Sequence, residues 1–359
     1  GPYADRPHPE NRVRYGVAAP AEVIRKYRPG GVVLFPWADN VRGVTQVVEL
    51  VNGLQQASPR VPLLIAADQE NGTVSRLSPL VTELPGAKAI GDTGDTELAR
   101  AAARLTGTEL RALGVNLDFA PVADVNVNPK NPVIGPRAYG SDPKRVARMV
   151  RAAVQGFHDA GVAATAKHFP GHGDTTVDSH TGLPVIRHSR AQWERLDAPP
   201  FRAAIDQGVD VIMTAHVVMP GLDRSGDPAT LSKAVLTGLL RAELGFQGVI
   251  STDSLQMQGV REKYGDGEVA VRAVLAGADL LLMPPDFGAA YQAVLAAVRS
   301  GRIPLERLDA SVTRLLALKE RRGVLDAAPA DAAAAARTVK SAAHRRIAER
   351  IAARVRGSS

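Results

Sequence analysis

Short runs of apolar residues alternate along this chain with longer stretches whose apolar positions recur every three or four residues. The runs fall at 32–35, 63–67, 115–119, 161–166, 209–214, 248–251 and 279–283. They are continuous rather than alternating, the pattern of strands buried on both faces of a parallel sheet. Between the first two runs, residues 41–57 place Val44, Val47, Val48, Val51 and Leu54 on one helical face. Helical spacing also covers 97–113, 143–160, 191–207, 232–244, 268–276, 287–299 and 305–319. Strand and helix in alternation predict an α/β fold. Seven strands are one short of a closed (β/α)8 TIM-type barrel. The barrel is the expectation, with its first strand missing upstream of Gly1; a doubly wound open sheet is the alternative. The expected organisation is a catalytic barrel over 1–324, a linker over 325–336, and a basic amphipathic helix over 337–359 that could open a truncated second domain. In that last segment Val339, Ala343, Ile347, Ile351 and Val355 recur every four residues.

Composition narrows the class. The chain has 359 residues, 45% of them hydrophobic and 23% charged, ample for a large buried core. No apolar run reaches the roughly 18 residues of a membrane span, and the polar N-terminus has no signal-peptide core. Cysteine is absent, which excludes disulfides and thiolate metal sites. The net charge of +7 owes much to Arg337, Lys340, Arg345, Arg346, Arg350 and Arg354. This cluster reads as a solvated helix face rather than a nucleic-acid surface.

Several predicted strands end in a polar residue: Asp68, Asp118, Lys167 with His168, His216, and Asp253. In a barrel such ends converge on one face, where catalysis takes place. Chemistry is densest at 167–180, KHFPGHGDTTVDSH, which holds one Lys, three His and two Asp. Its Gly and Pro content reads as a loop following the 161–166 strand. Asp178 and His180, two residues apart, suit an imidazole oriented by a carboxylate, although such a pair also arises by chance. Asp253 in STDSLQM suits a nucleophile, a base, a metal ligand or a helix cap. Lys167, Arg76 and Arg137 could grip hydroxyls or carboxylates of a ligand, or form surface ion pairs. His168, His172, His180 and Asp174 offer metal donors, but their spacing matches no paired-ligand pattern, so no metal or other cofactor is expected.

The segments AADQENGTVSRL (66–77), FAPVADVN (119–126), IGPRAYGSDP (134–143), KHFPGHGDTTVDSHTGLPV (167–185), MTAHVVMP (213–220) and STDSLQM (251–257) resemble, in order and spacing, glycoside hydrolase family 3 in its β-N-acetylhexosaminidase branch. The resemblance runs from about Val32 to Leu325. It implies a barrel enzyme with Asp253 as nucleophile, His180 as general acid/base, and Asp178 as the partner of His180. It further implies that Asp68, Arg76, Arg137, Lys167 and His168 bind a terminal N-acetylglucosamine. The family commonly reads DQEGGRV where this chain has DQENGTV, so Asn71 and Thr73 alter the pocket edge while Arg76 is kept. The implied activity is retaining, exo-acting release of N-acetylglucosamine from peptidoglycan fragments or chito-oligosaccharides. Phosphorolysis, a silent saccharide-binding barrel and a metal-dependent hydrolase are the alternatives. The expected partner is a small saccharide, with no nucleic acid. An extracellular or cell-envelope location is expected, with the cytoplasm as alternative.

Overall fold

The computed structural model describes residues 1–261 and 263–358. They group into two compact units: Gly1–Ala120 with Ala152–Ala164 and Lys319–Ser359, and Pro121–Arg151 with Thr165–Leu318.

In the first unit, β1 (Gly31–Val33) pairs in parallel with β2 (Leu64–Ala67). A short antiparallel hairpin follows, β3 (Gln69–Asn71) with β4 (Val74–Ser75). Beyond it, β2 pairs in parallel with β5 (Leu117–Asp118), and β5 with the first two residues of β6 (Ala163–Phe169). The helix Val44–Gln56 buries Val47, Val48, Val51 and Leu54 against Leu63, Ile65, Leu110 and Val115. Helix Thr96–Ala112 starts where Asp95 Oδ1 accepts the Glu97 N–H at 3.0 Å, filling one of the orphan donors of the first turn.

The C-terminal residues belong to this same unit. Part of the stretch read as a linker is helical, Ala332–Thr338, and its Ala335 enters the core with Val339. A left-handed turn at Lys340 (φ 52°) then separates Val339 from the last helix, Ala342–Gly357. The expected four-residue stripe therefore does not run on one helix. Ala343 is exposed and His344 is half-buried in its place, while Ile347 and Ile351 of the expected stripe are half-buried and buried. Ser359, the end of that predicted segment, lies outside the described residues.

In the second unit the remainder of β6 pairs in parallel with β7 (Val211–Thr214), and β7 with β8 (Val249–Ser251). Ser251 bridges in parallel to Leu280, at the seventh predicted run. All pairings among the seven runs are parallel, so the chain has the α/β architecture expected. Two details differ. The helix predicted over 191–207 is two helices, Arg190–Leu196 and Ala198–Asp206, because Pro199 and Pro200 lack the N–H that a continuous helix needs. Residues Ala234–Glu243 wind as a π-helix, seen where Leu244 N–H bonds Leu239 O at 2.9 Å.

Candidate active site

Strand β6 runs further than the sequence suggests. Lys167 and Phe169 still pair with Met213 and Thr214, with a register shift between them. The stretch expected as a loop therefore opens as a strand, and the loop begins at Pro170. Lys167 is only 2% exposed. The Trp193 indole N–H donates to the Pro170 carbonyl at 2.8 Å, pinning the exit from the strand.

Asp124 is the hub beside this strand. Its Oδ1 accepts the backbone N–H of His168 (3.2 Å) and of His172 (2.8 Å), and its Oδ2 lies 2.7 Å from His168 Nδ1. Burial holds His168 well below the ordinary histidine range, reinforced by the Arg137 cation. The ring is therefore neutral and carries one proton. Arg137 Nη2 sits 3.4 Å from Nε2, and a guanidinium can only donate. The proton must then be on Nδ1, facing Asp124. Asp124 stands in the quoted motif FAPVADVN, yet sequence reasoning gave it no role. Its partner lies 44 residues away.

Asp253 follows β8. Burial pushes its pKa up, but it lies below the usual 3.8; with the nearby imidazoles of His168 and His216 both neutral, the Ser254 N–H and the Lys167 ammonium are the groups that favour its charged form. The carboxylate is therefore ionised at neutral pH, within electrostatic reach of those groups. Its Oδ1 accepts the Ser254 N–H at 2.7 Å. His216, held neutral by burial, donates from Nε2 to the Ser254 carbonyl at 2.9 Å and steadies the same turn.

The loop beyond Pro170 carries the expected dyad. Asp178 Oδ1 accepts both the His180 N–H (2.8 Å) and its Nδ1–H (2.7 Å). Burial pushes Asp178 up, but these two hydrogen bonds bring it below the usual carboxylate value. The His180 side chain is 60% exposed, and its Nε2 has no hydrogen-bond partner among the described residues. Three contacts seat the loop. His172 Nε2 meets Ser179 Oγ at 2.9 Å. Gln258 N–H reaches His180 O at 3.3 Å, and Gly259 N–H reaches Ser179 O at 3.2 Å. A side chain at Gly259 would put Cβ 2.6 Å from Gly182 O, so only glycine permits this approach to the segment after Asp253. At the base of the loop His188 lies between Asp197 (2.6 Å) and Asp174 (2.9 Å).

The second unit thus brings together Asp253, Lys167, His168, Arg137, Asp178 and His180 around Asp124, His172 and His216. Asp68 and Arg76 belong to the first unit. There the Arg76 N–H donates to Asp68 O at 3.1 Å, and the Arg76 guanidinium lies 4.8 Å from the Trp37 ring centroid. Asp118, at the end of β5, is fully buried and accepts the Gln69 N–H at 2.9 Å, fixing the residue after Asp68. Among the described residues no three His, Asp or Glu side chains are grouped to hold a metal ion. No helix among them is long and apolar enough to cross a membrane.

The family model described as the glycosyl hydrolase family 3 N-terminal domain matches residues 15–318. Over 356 residues the chain is 39% identical to β-hexosaminidase A of Pseudoalteromonas piscicida, covering 91% of this chain and 58% of that protein. A solved glycoside hydrolase family 3 β-N-acetylglucosaminidase from Paenibacillus sp. str. FPU-7 is 49% identical, with a TM-score of 0.88 over 93% of this chain and 64% of that one. The β-glucoside phosphorylase BglX is 29% identical, with a TM-score of 0.84 over 90% of this chain and 60% of that one. The chain therefore spans less than two thirds of each of these relatives.

Proposed function

We propose, from the premise that this chain belongs to glycosyl hydrolase family 3, that it is a retaining, exo-acting β-N-acetylglucosaminidase. Its substrates would be chito-oligosaccharides or peptidoglycan fragments ending in β-N-acetylglucosamine. The seven parallel runs would then be seven strands of a (β/α)8 barrel, with the site at the strand ends.

One observation carries the reading. An aspartate held ionised among Lys167, His168 and His216 follows one strand, and the adjoining segment seats a loop whose exposed imidazole is oriented by a second aspartate. In the first step an Asp253 oxygen bonds to the anomeric carbon. The glycosidic C–O bond breaks as His180 gives its proton to the departing oxygen. In the second step His180 takes a proton from water, whose oxygen displaces Asp253 and frees the sugar. Most retaining glycosidases use two carboxylates about 5–5.5 Å apart, and here the imidazole replaces one of them. Ionised Asp178, bonded to Nδ1, holds the ring in one orientation and leaves Nε2 to serve the departing oxygen. Arg137, Lys167 and His168, all in the second unit, supply the polar grip on the terminal sugar.

Removing His180 should lower turnover of chitobiose by about 10²–10⁴-fold. An aryl N-acetyl-β-glucosaminide needs little acid help to leave, so His180→Ala should form the glycosyl-enzyme and then stall. Mass spectrometry should find the N-acetylglucosaminyl adduct on the peptide bearing Asp253. Wild-type turnover by His180→Ala, or an adduct on another residue, would refute the assignment.

Phosphorolysis is a second reading, favoured by the acid/base group itself. A carboxylate that has given up its proton repels an incoming anion, whereas a neutral imidazole does not. The likeness to BglX, named a β-glucoside phosphorylase, supports keeping it. Product analysis with and without phosphate separates the two, because only phosphorolysis yields the sugar 1-phosphate.

A further inference from the structure

At the start of β8, the end away from Asp253, the second unit gathers three guanidinium groups on one fully buried carboxylate, Asp279. Asp279 Oδ2 accepts from Arg241 Nη2 and from the Ile250 N–H (3.0 Å). Its Oδ1 accepts from Arg307 Nη1 and Nη2 (both 3.3 Å), Ser311 Oγ (2.6 Å) and Arg314 Nη1 (3.1 Å). Six donors thus converge on a group with about four lone-pair sites. The charges are as uneven. The side chains of Arg241, Arg307 and Arg314 are only 12%, 19% and 26% exposed, and Asp279 is the one carboxylate paired with them among the described residues. Cations withdrawn from water without a counter-charge are costly. Arg241 feels this: burial, with Arg314 and Arg307 nearby, lowers its pKa to about 10 although Asp279 pulls the other way.

The three cations differ in what they have left to give. Arg241 also donates to Phe246 O (2.8 Å) and Gly248 O, and Arg307 to Val274 O (3.0 Å) and Ala278 O (2.7 Å), so both are fixed in place. Arg314 has its one bond to Asp279, and its Nε and Nη2 meet no acceptor among the described residues. Arg307, Ser311 and Arg314 stand at i, i+4 and i+7 of the helix Leu305–Arg321, so one helical face presents them. One guanidinium would neutralise Asp279; two positive charges remain. A planar fork of N–H donors matches a pair of oxygens on phosphate or sulfate. We infer that Arg241, Arg307 and Arg314 bind a small tetrahedral oxyanion, inorganic phosphate or sulfate, with Arg314 as the solvent-facing ligand. The ion would tie the helix to the start of β8. Asp253 follows the other end of that strand, so the ion stabilises the unit without entering the site proposed for hydrolysis.

Two measurements test it. Isothermal titration with inorganic phosphate, at an ionic strength held constant with chloride, should show saturable binding for which sulfate competes. Arg314→Gln removes a charged donor and should weaken that binding roughly 10- to 150-fold, while turnover of an aryl N-acetyl-β-glucosaminide is unchanged. Phosphate bound as the acceptor in phosphorolysis would be indifferent to Arg314→Gln. No binding by the unmodified protein, or equal binding by the variant, overturns the inference whatever the activity proves to be. The second measurement needs no variant. Phosphate should slow phenylglyoxal modification of the peptide bearing Arg314, followed by mass spectrometry, and leave that of the exposed Arg350 unchanged. Equal slowing at both, or at neither, overturns it too.

Discussion

Asp124 is fully buried, and both its oxygens are engaged. Two backbone N–H groups reach one oxygen, and the His168 ring faces the other. The carboxylate thereby fixes the His168 tautomer and so directs its Nε2 lone pair at Arg137, holding that guanidinium where the terminal sugar is proposed to bind. Asp124→Asn keeps the shape but turns one acceptor into a donor. The amide N–H2 would then confront the Nδ1–H of His168, and one of the two must turn away. If it is the ring proton that moves, to Nε2, it points at Arg137, which is also a donor. The expected result is a fall in kcat/KM of about ten- to a hundredfold, the size of one misdirected buried hydrogen bond, expressed mainly in KM. Steady-state kinetics beside a urea unfolding curve would check it. Wild-type kcat/KM in a folded variant would show that the tautomer does not matter.

The loop that carries Asp178 and His180 is anchored at its base by His188. This imidazole bonds Asp197 and Asp174 on its two sides, and the Asp197 hydrogen bond, above all, raises its pKa from 6.5 to about 9. A histidine whose folded pKa exceeds its unfolded value stabilises the fold fully below the unfolded pKa. That contribution disappears as pH rises through the folded value. The contribution of His188 to stability should therefore fall from about pH 6.5 to above 9, as the ring loses its proton. His188→Gln should be less stable at pH 6 by about 3–5 kcal/mol, because a buried carboxylate loses its cation. It should also lack that alkaline fall. Urea midpoints at pH 6, 7.5 and 9 decide it, and parallel pH dependence in the two proteins would refute the clamp. This element also shows what a sequence exposes and what it conceals. The Asp178–His180 hydrogen bond joins residues two apart, so a local pattern was enough to suggest it. His188–Asp174 spans 14 residues, and Asp124–His168 spans 44. Which His meets which Asp there depends on how segments pack, and no spacing rule expresses it. The seven apolar runs were legible because burial on both faces is written into each run separately. The end of β6 was not, because Lys167 and His168 are polar, and their strand geometry comes from pairing with β7.

At the scale of the whole molecule, the residues after Leu318 are built into the first unit rather than trailing from it. Lys319 Nζ donates to Gly30 O at 3.0 Å and Pro62 O at 2.7 Å, and burial lowers its pKa to about 8. Asn52 exchanges two hydrogen bonds with Ala330, each 2.9 Å. The last contact is the most concentrated. Glu109, fully buried, accepts from Thr82 N–H and Oγ1–H (both 2.6 Å), Lys340 N–H (2.9 Å) and His344 Nδ1 (2.7 Å). Two of these four donors lie in the C-terminal segment, more than 230 residues away in sequence. Glu109→Ala would leave them without their acceptor and should ease local opening of helix Ala342–Gly357 by about 1–3 kcal/mol. The open fraction would then rise by roughly five- to 150-fold, and trypsin cleavage after Arg345 and Arg346 should accelerate in proportion while reclosing outpaces cleavage. Timed digestion read by mass spectrometry follows those two sites directly, with cuts after Arg104 or Arg111 reporting any wider loss of structure around Glu109. Cleavage after Arg345 and Arg346 at the unmodified rate would mean that Ile347 and Ile351 alone hold the helix, and that the charge at Glu109 serves only the Thr82 turn.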